Sequence, residues 1–206
     1  MTTTFVSPRL LMIGGGVPNF AAPTTVNLGV TMLLLDSGDF NNDGNLDIVA
    51  TNFDNTQLSL LLGDGLGGFA VSVIDIVGAP TDVATGDLNG DGFLDILVPE
   101  QNQDRLAVLL GNGNGTFDAP VFQVVGDNPQ FVGLADFNGD GILDAVNSNI
   151  GSGTMTFSRG VGDGTFNPAV PFTLDSGNAN SAAARSVARS SRPRLSFATA
   201  ASGSSA

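Results

Sequence analysis

The chain has 206 residues, 42% of them hydrophobic, with 28 Gly and a formal net charge of −13. That acidic field excludes binding to nucleic acid or an anionic membrane through overall charge. There is no Cys, His, Lys, Trp or Tyr. This removes disulfides, thiolate metal sites and Cys nucleophiles, the usual neutral-pH general base and commonest zinc ligand, and the usual aromatic platforms for sugars.

Residues 1–8 carry no Lys or Arg, and the short apolar stretch 10–13 ends in Gly14-Gly15-Gly16, so no secretory signal is evident. No run is long enough to span a membrane. Leu11-Met12-Ile13-Gly14 lines up with Leu60-Leu61-Leu62-Gly63 further on. Residues 1–30 therefore read as a partial first repeat that begins after the position of its loop.

The first distinctive stretch is Asp39-Phe40-Asn41-Asn42-Asp43-Gly44-Asn45-Leu46-Asp47. It returns as Asp87-Leu88-Asn89-Gly90-Asp91-Gly92-Phe93-Leu94-Asp95 and as Asp136-Phe137-Asn138-Gly139-Asp140-Gly141-Ile142-Leu143-Asp144. Side-chain oxygens fall at positions 1, 3, 5 and 9, with Gly at position 6. Alternate residues of a tight loop can all turn inward, and a hard cation takes six to eight oxygens. Gly at position 6 permits a backbone conformation that other residues resist. Position 7 would supply its carbonyl, which leaves its side chain free to vary: Asn45, Phe93, Ile142. The fifteen candidate calcium-loop residues are thus Asp39, Asn41, Asp43, Asn45 and Asp47; Asp87, Asn89, Asp91, Phe93 and Asp95; and Asp136, Asn138, Asp140, Ile142 and Asp144.

Asn-Gly and Asp-Gly make turns without any metal, but three copies with every ligand position filled point to a cation. The loop is not an EF-hand, which closes with a Glu at position 12 between helices. Position 12 here is Ala50, Val98 or Asn147, inside apolar strand-like runs. The loops hold nine of the 20 acidic residues, and three divalent ions, with six positive charges, would bring the net charge from −13 to −7.

The loops recur at intervals of 48 and 49 residues. A second motif keeps the same beat, ending at Phe20, Phe69, Phe117 and Phe166 after Gly-rich turns such as Gly111-Asn112-Gly113-Asn114-Gly115. These Phe residues are expected in the core, and the turns are expected to close tight hairpins. One repeat resolves into four short strands: 81–86, 94–99, 105–110 and 121–125, with a polar turn at 101–104. Four antiparallel strands per repeat is blade-like, and radial repetition of blades makes a β-propeller. The expected fold is all-β: about four repeats in an incomplete ring, with 31–181 holding three complete repeats. An open arc would leave sheet edges unpaired and invite self-association.

The Asp-Phe-Asn-x-Asp-Gly-x-Leu-Asp loops, the β-run after each, the Gly-x-Gly-x-Phe hairpins and Gly78-Ala79-Pro80 resemble the FG-GAP (VCBS-type) repeats of integrin α-subunit-like propellers. The resemblance spans residues 10–180. It implies one calcium per loop, about three Ca2+ ions in all, and usually seven blades in a ring. The chain departs from that pattern near residue 185, where a fourth loop is due. Residues 182–206 instead have no acidic residue and four of the seven Arg, and are expected to be disordered or non-native.

The resemblance and the calcium loops together imply an extracellular or cell-surface module that binds a protein or polysaccharide. An alternative is a fragment of a larger secreted propeller, and a third is a hydrolase-associated propeller. No catalytic residue and no organic cofactor site is expected: almost all the acids are Asp in loops or turns, and Glu100 is the only Glu.

Overall fold

The computed structural model describes residues 4–7, 10–11, 19–20, 24–28, 32–52 and 55–173. Expectations for 182–206, and for the Gly14-Gly15-Gly16 turn, lie outside the described residues. Strands β1 (Thr4–Ser7), β2 (Leu10–Leu11), β3 (Asn19–Phe20) and β4 (Thr24–Asn27) form two two-stranded antiparallel sheets, β1 with β4 and β2 with β3.

Three four-stranded antiparallel sheets follow, each a simple meander. The first blade is β5 (Met32–Gly38), β6 (Asp47–Asn52), β7 (Gln57–Gly63) and β8 (Phe69–Asp75). The second is β9 (Ala84–Gly86), β10 (Asp95–Glu100), β11 (Arg105–Leu109) and β12 (Val121–Val124). The third is β13 (Pro129–Ala135), β14 (Asp144–Asn149), β15 (Thr154–Ser158) and β16 (Val170–Phe172). A short 3₁₀ turn, Gln101–Gln103, occupies the expected polar turn and ends with Asp104 in the left-handed region. Each 1–3–5–9 loop joins the first two strands of its blade.

The blades stack face to face. All six residues of β10 are buried, because both of its faces are covered. Ile96 and Val98 pack with Val49, Leu58 and Leu60 of the first blade. Leu97 packs with Val132, Leu134 and Ala145 of the third. A near-continuous apolar run is what a strand buried on both faces requires. Two Phe residues of the Gly-rich turns join these seams: Phe117 meets Phe40 of the preceding blade edge to face, at 6.1 Å, and Phe166 packs at the next seam. The turns close over five residues (64–68 in the first blade) rather than the tight hairpin expected. Asx-type bonds, such as Asp64 Oδ1 accepting the Leu66 and Gly68 amides, order the longer loop.

The seams repeat a fixed contact. The Gly115 amide donates to the Phe40 carbonyl at 2.9 Å, and the Gly164 amide to the Leu88 carbonyl at 3.1 Å. Both glycines have positive φ, +79° and +83°, and a Cβ on either would press on Leu62 or Leu110 of the blade before. Loop position 2 is therefore covered wherever a blade follows: Phe40 is 2% exposed and Leu88 4%, whereas Phe137 of the third blade is 44% exposed. Position 8 reports the opposite side. Leu94 and Leu143 pack against Gly38 and Gly86 of the preceding blades, whereas Leu46 is 60% exposed. Among the described residues the two ends of the arc thus present sheet faces, where a four-repeat arc suggested unpaired strand edges.

Phe40→Ala is expected to cost about 3–5 kcal/mol in denaturant unfolding, the usual range for a fully buried Phe. Phe137→Ala, at the equivalent but uncovered position, should cost less than half as much; equal costs would show that a blade or partner covers Phe137 in solution.

Candidate metal centres

Each loop is wound by its own side chains. The position-1 carboxylate takes amides across the turn: Asp39 those of Asp43 and Gly44, Asp87 those of Gly90 and Gly92, and Asp136 those of Gly139, Asp140 and Gly141. The position-3 Asn oxygen takes the position-5 amide: Asn41 to Asp43 at 3.2 Å, Asn89 to Asp91 at 3.0 Å and Asn138 to Asp140 at 2.8 Å. The position-5 carboxylate takes the position-7 amide of Asn45, Phe93 or Ile142 at 2.8–3.0 Å. This brings positions 1, 3 and 5 together inside the turn. Gly44, Gly92 and Gly141 have φ of +84°, +87° and +85°, with open space where a Cβ would stand. Backbone conformation, not crowding, therefore demands Gly at position 6.

At position 7 the structure engages the backbone amide, which donates to the position-5 carboxylate. Its side chain leans over the Gly-rich turn of the same blade, Phe93 against Gly113 and Ile142 against Gly162.

Position 9 has a role that its spacing does not show. Asp47, Asp95 and Asp144 are 0% exposed. One oxygen of each accepts the position-2 amide: Phe40 to Asp47 at 2.8 Å, Leu88 to Asp95 at 2.7 Å and Phe137 to Asp144 at 3.2 Å. The other accepts an amide from the far end of the third strand: Gly63 at 2.7 Å, Gly111 at 2.8 Å and Gly160 at 2.9 Å. The position-9 Asp is a strut between its loop and the Gly-rich turn.

The electrostatics follow this geometry. Burial pushes the Asp95 carboxyl above the usual carboxylate range against the Gly111 and Leu88 amides, and repulsion from Asp91 and Asp87 adds to the rise. The Asn45 amide and the Asn41 side chain hold Asp43 below that range. In the third loop the Arg159 guanidinium, then the Ile142 amide, lower Asp140. Arg159 Nη2 donates to Asp140 Oδ2 at 2.8 Å. In the other loops that oxygen takes the Asn side chain instead, Asn41 at 2.9 Å and Asn89 at 2.8 Å.

The donor set fits a hard cation. It is all oxygen, and each carboxylate oxygen that accepts one N–H keeps a second lone pair. Among the described residues, however, no three His, Cys, Asp or Glu side chains stand close enough to hold an ion as they are. Positions 1, 3 and 5 are gathered, whereas position 9 is committed to the strut and needs its remaining lone pairs to contribute.

The one glutamate is also structural. Glu100 is buried, accepts the Val77 and Gly78 amides at 3.0 and 2.8 Å, and pairs with Arg105 Nε at 2.5 Å. Arg105 in turn lies 3.6 Å from the centre of the Phe122 ring. Glu100 thus ties the linker between the first two blades to the second. Among the described residues no helix is long and apolar enough to cross a membrane.

Residues 39–98 match the family model for the FG-GAP-like repeat, so the chain carries FG-GAP-like repeat sequence from the first loop to the strand after the second. The fold is that of a β-propeller, present as an incomplete ring. An Agrocybe aegerita lectin, solved to explain specific recognition of non-reducing terminal N-acetylglucosamine, is 20% identical with a TM-score of 0.53; the match covers 78% of this chain and 45% of the lectin chain. A chain of the BBS1N–ARL6DN complex is 14% identical with a TM-score of 0.49, covering 76% of this chain and 45% of that one. A chain of the Photorhabdus luminescens Tc holotoxin pore is 16% identical with a TM-score of 0.38, covering 86% and 11%. No curated protein sequence matches the chain. The chain therefore spans less than half the length of the structures it resembles.

Asp95→Ala leaves two buried amides without acceptors and is expected to cost about 2–5 kcal/mol, even with calcium chelated. Asp91→Ala, in the exposed turn of the same loop, should leave stability in chelator near that of the wild type. Unfolding of both variants in EDTA checks this; equal losses would remove the distinction between strut and ligand.

Proposed function

We propose that the three loops each bind one calcium ion and that calcium is structural, stabilising a non-enzymatic propeller module. The observation that carries this reading is the threefold convergence of positions 1, 3 and 5 around a Gly turn, with each loop braced to its blade by a buried Asp. Bound calcium would offset the mutual repulsion of the loop carboxylates. Because it would bind the wound loop better than the unfolded chain, it would stabilise the fold by linkage. Asp39, Asn41 and Asp43, and their counterparts in the other two loops, would be the first ligands. The position-7 carbonyl and the free lone pairs of position 9 would complete the set.

We assign the module to extracellular or cell-surface adhesion, with a protein or polysaccharide as its ligand. Loops of this composition suit the calcium levels found outside cells if their affinity lies near ~10⁻⁴–10⁻³ M. The glycan recognised by the similar lectin makes N-acetylglucosamine-terminated glycans a reasonable first probe, although the absence of Trp and Tyr weighs towards a protein ligand. A second reading, a section of a larger secreted propeller, is favoured by the open faces at Leu46 and Phe137. Self-association through those faces would also cover them.

Calcium titration by calorimetry, with melting followed at each step, should give about three ions per chain and a rise in melting temperature. Asp43→Ala, Asp91→Ala and Asp140→Ala should each remove one ion and part of that rise. An unchanged melting temperature in millimolar calcium would reject the calcium reading.

A further inference from the structure

The three loops share a motif but not an environment. The residue just before the glycine that binds the strut is Leu62 in the first blade, Leu110 in the second and Arg159 in the third. The two leucines lie beneath Gly115 and Gly164 of the following blade. Arg159 has no following hairpin over it among the described residues. It turns back into its own loop and donates from Nη2 to Asp140 Oδ2.

Resting on the calcium reading above, we propose that Arg159 is a tethered cation of the third loop, so that loop 136–144 binds calcium more weakly than loops 39–47 and 87–95. Two effects act in the same direction. A charge-assisted bond to a position-5 oxygen must break or be shared before that oxygen can serve a metal. The guanidinium must also swing away from an incoming divalent cation, because like charges repel. The pair is solvent-exposed, so the penalty is modest. The third site is weakened about two- to fivefold, not abolished. The same contact gives the third loop a partial counter-charge when calcium is scarce, and the first two loops have none among the described residues.

The test is an amide NMR titration of the full chain with calcium chloride, in which Gly44, Gly92 and Gly141 report the loops separately. In the wild type, Gly141 should reach its half-point at about two to five times the calcium needed for Gly92. Arg159→Leu, the residue found in the other blades, should bring the two half-points together. Arg159→Gln removes the charge without adding apolar surface and should do the same if the leucine variant aggregates. Coincident half-points in the wild type, or a lag of Gly141 that persists in both variants, would overturn the role of Arg159. If none of the three glycines responded, the calcium reading itself would fall, which is a different result.

Discussion

The buried aspartate at the end of each loop is the constraint on which the rest depends. A carboxylate with no exposed surface is costly unless its oxygens are hydrogen-bonded, and Asp47, Asp95 and Asp144 meet that demand with two amides each. One amide belongs to the loop and the other to the end of the third strand. A loop on the rim is thereby fixed to the strands that form the blade. Anything that orders the loop therefore orders the blade.

The loop is also part of the seam between blades. The carbonyl that follows its first aspartate, on Phe40 or Leu88, accepts an amide from the next blade's Gly-rich turn, while the ring or leucine side chain at that position is buried beneath that blade. Asp-rich loop, Gly-rich turn and seam are one connected arrangement repeated along the arc. This explains why the two sequence motifs keep a common spacing of 48 or 49 residues: a change in one spacing alone would part the turn from the loop on which it docks.

Much of this was legible in the sequence, for identifiable reasons. The strands of the second repeat were readable because Ile96, Leu97 and Val98 form an apolar run bounded by a loop and a polar turn. The inward turn of positions 1, 3 and 5 follows from alternation around an obligatory glycine. The strut was not legible, because residue type and spacing do not say where a carboxylate's lone pairs point: the spacing offers Asp95 as a ligand position and gives no sign that its oxygens accept the Leu88 and Gly111 amides. Phe137 was equally opaque. It matches Phe40 in type and position, and only the stacking of blades separates a buried ring from an exposed one. Glu100 could be considered for acid chemistry by composition alone, but its buried contacts with a linker and Arg105 give it a structural task.

Repetition in sequence does not make the three sites equal. A repeat supplies the same donors at the same spacing, but the field at each loop is set by what stands outside the motif. In the first two blades a leucine lies under the following turn, and the position-5 carboxylate accepts the position-3 asparagine side chain and the position-7 amide. In the third blade the corresponding residue is an arginine, which has followed the local negative potential back to Asp140. The motif alone would assign three identical ions. The structure separates the third loop from the others by one formal charge at hydrogen-bonding distance, a difference that the loop's own nine residues do not encode.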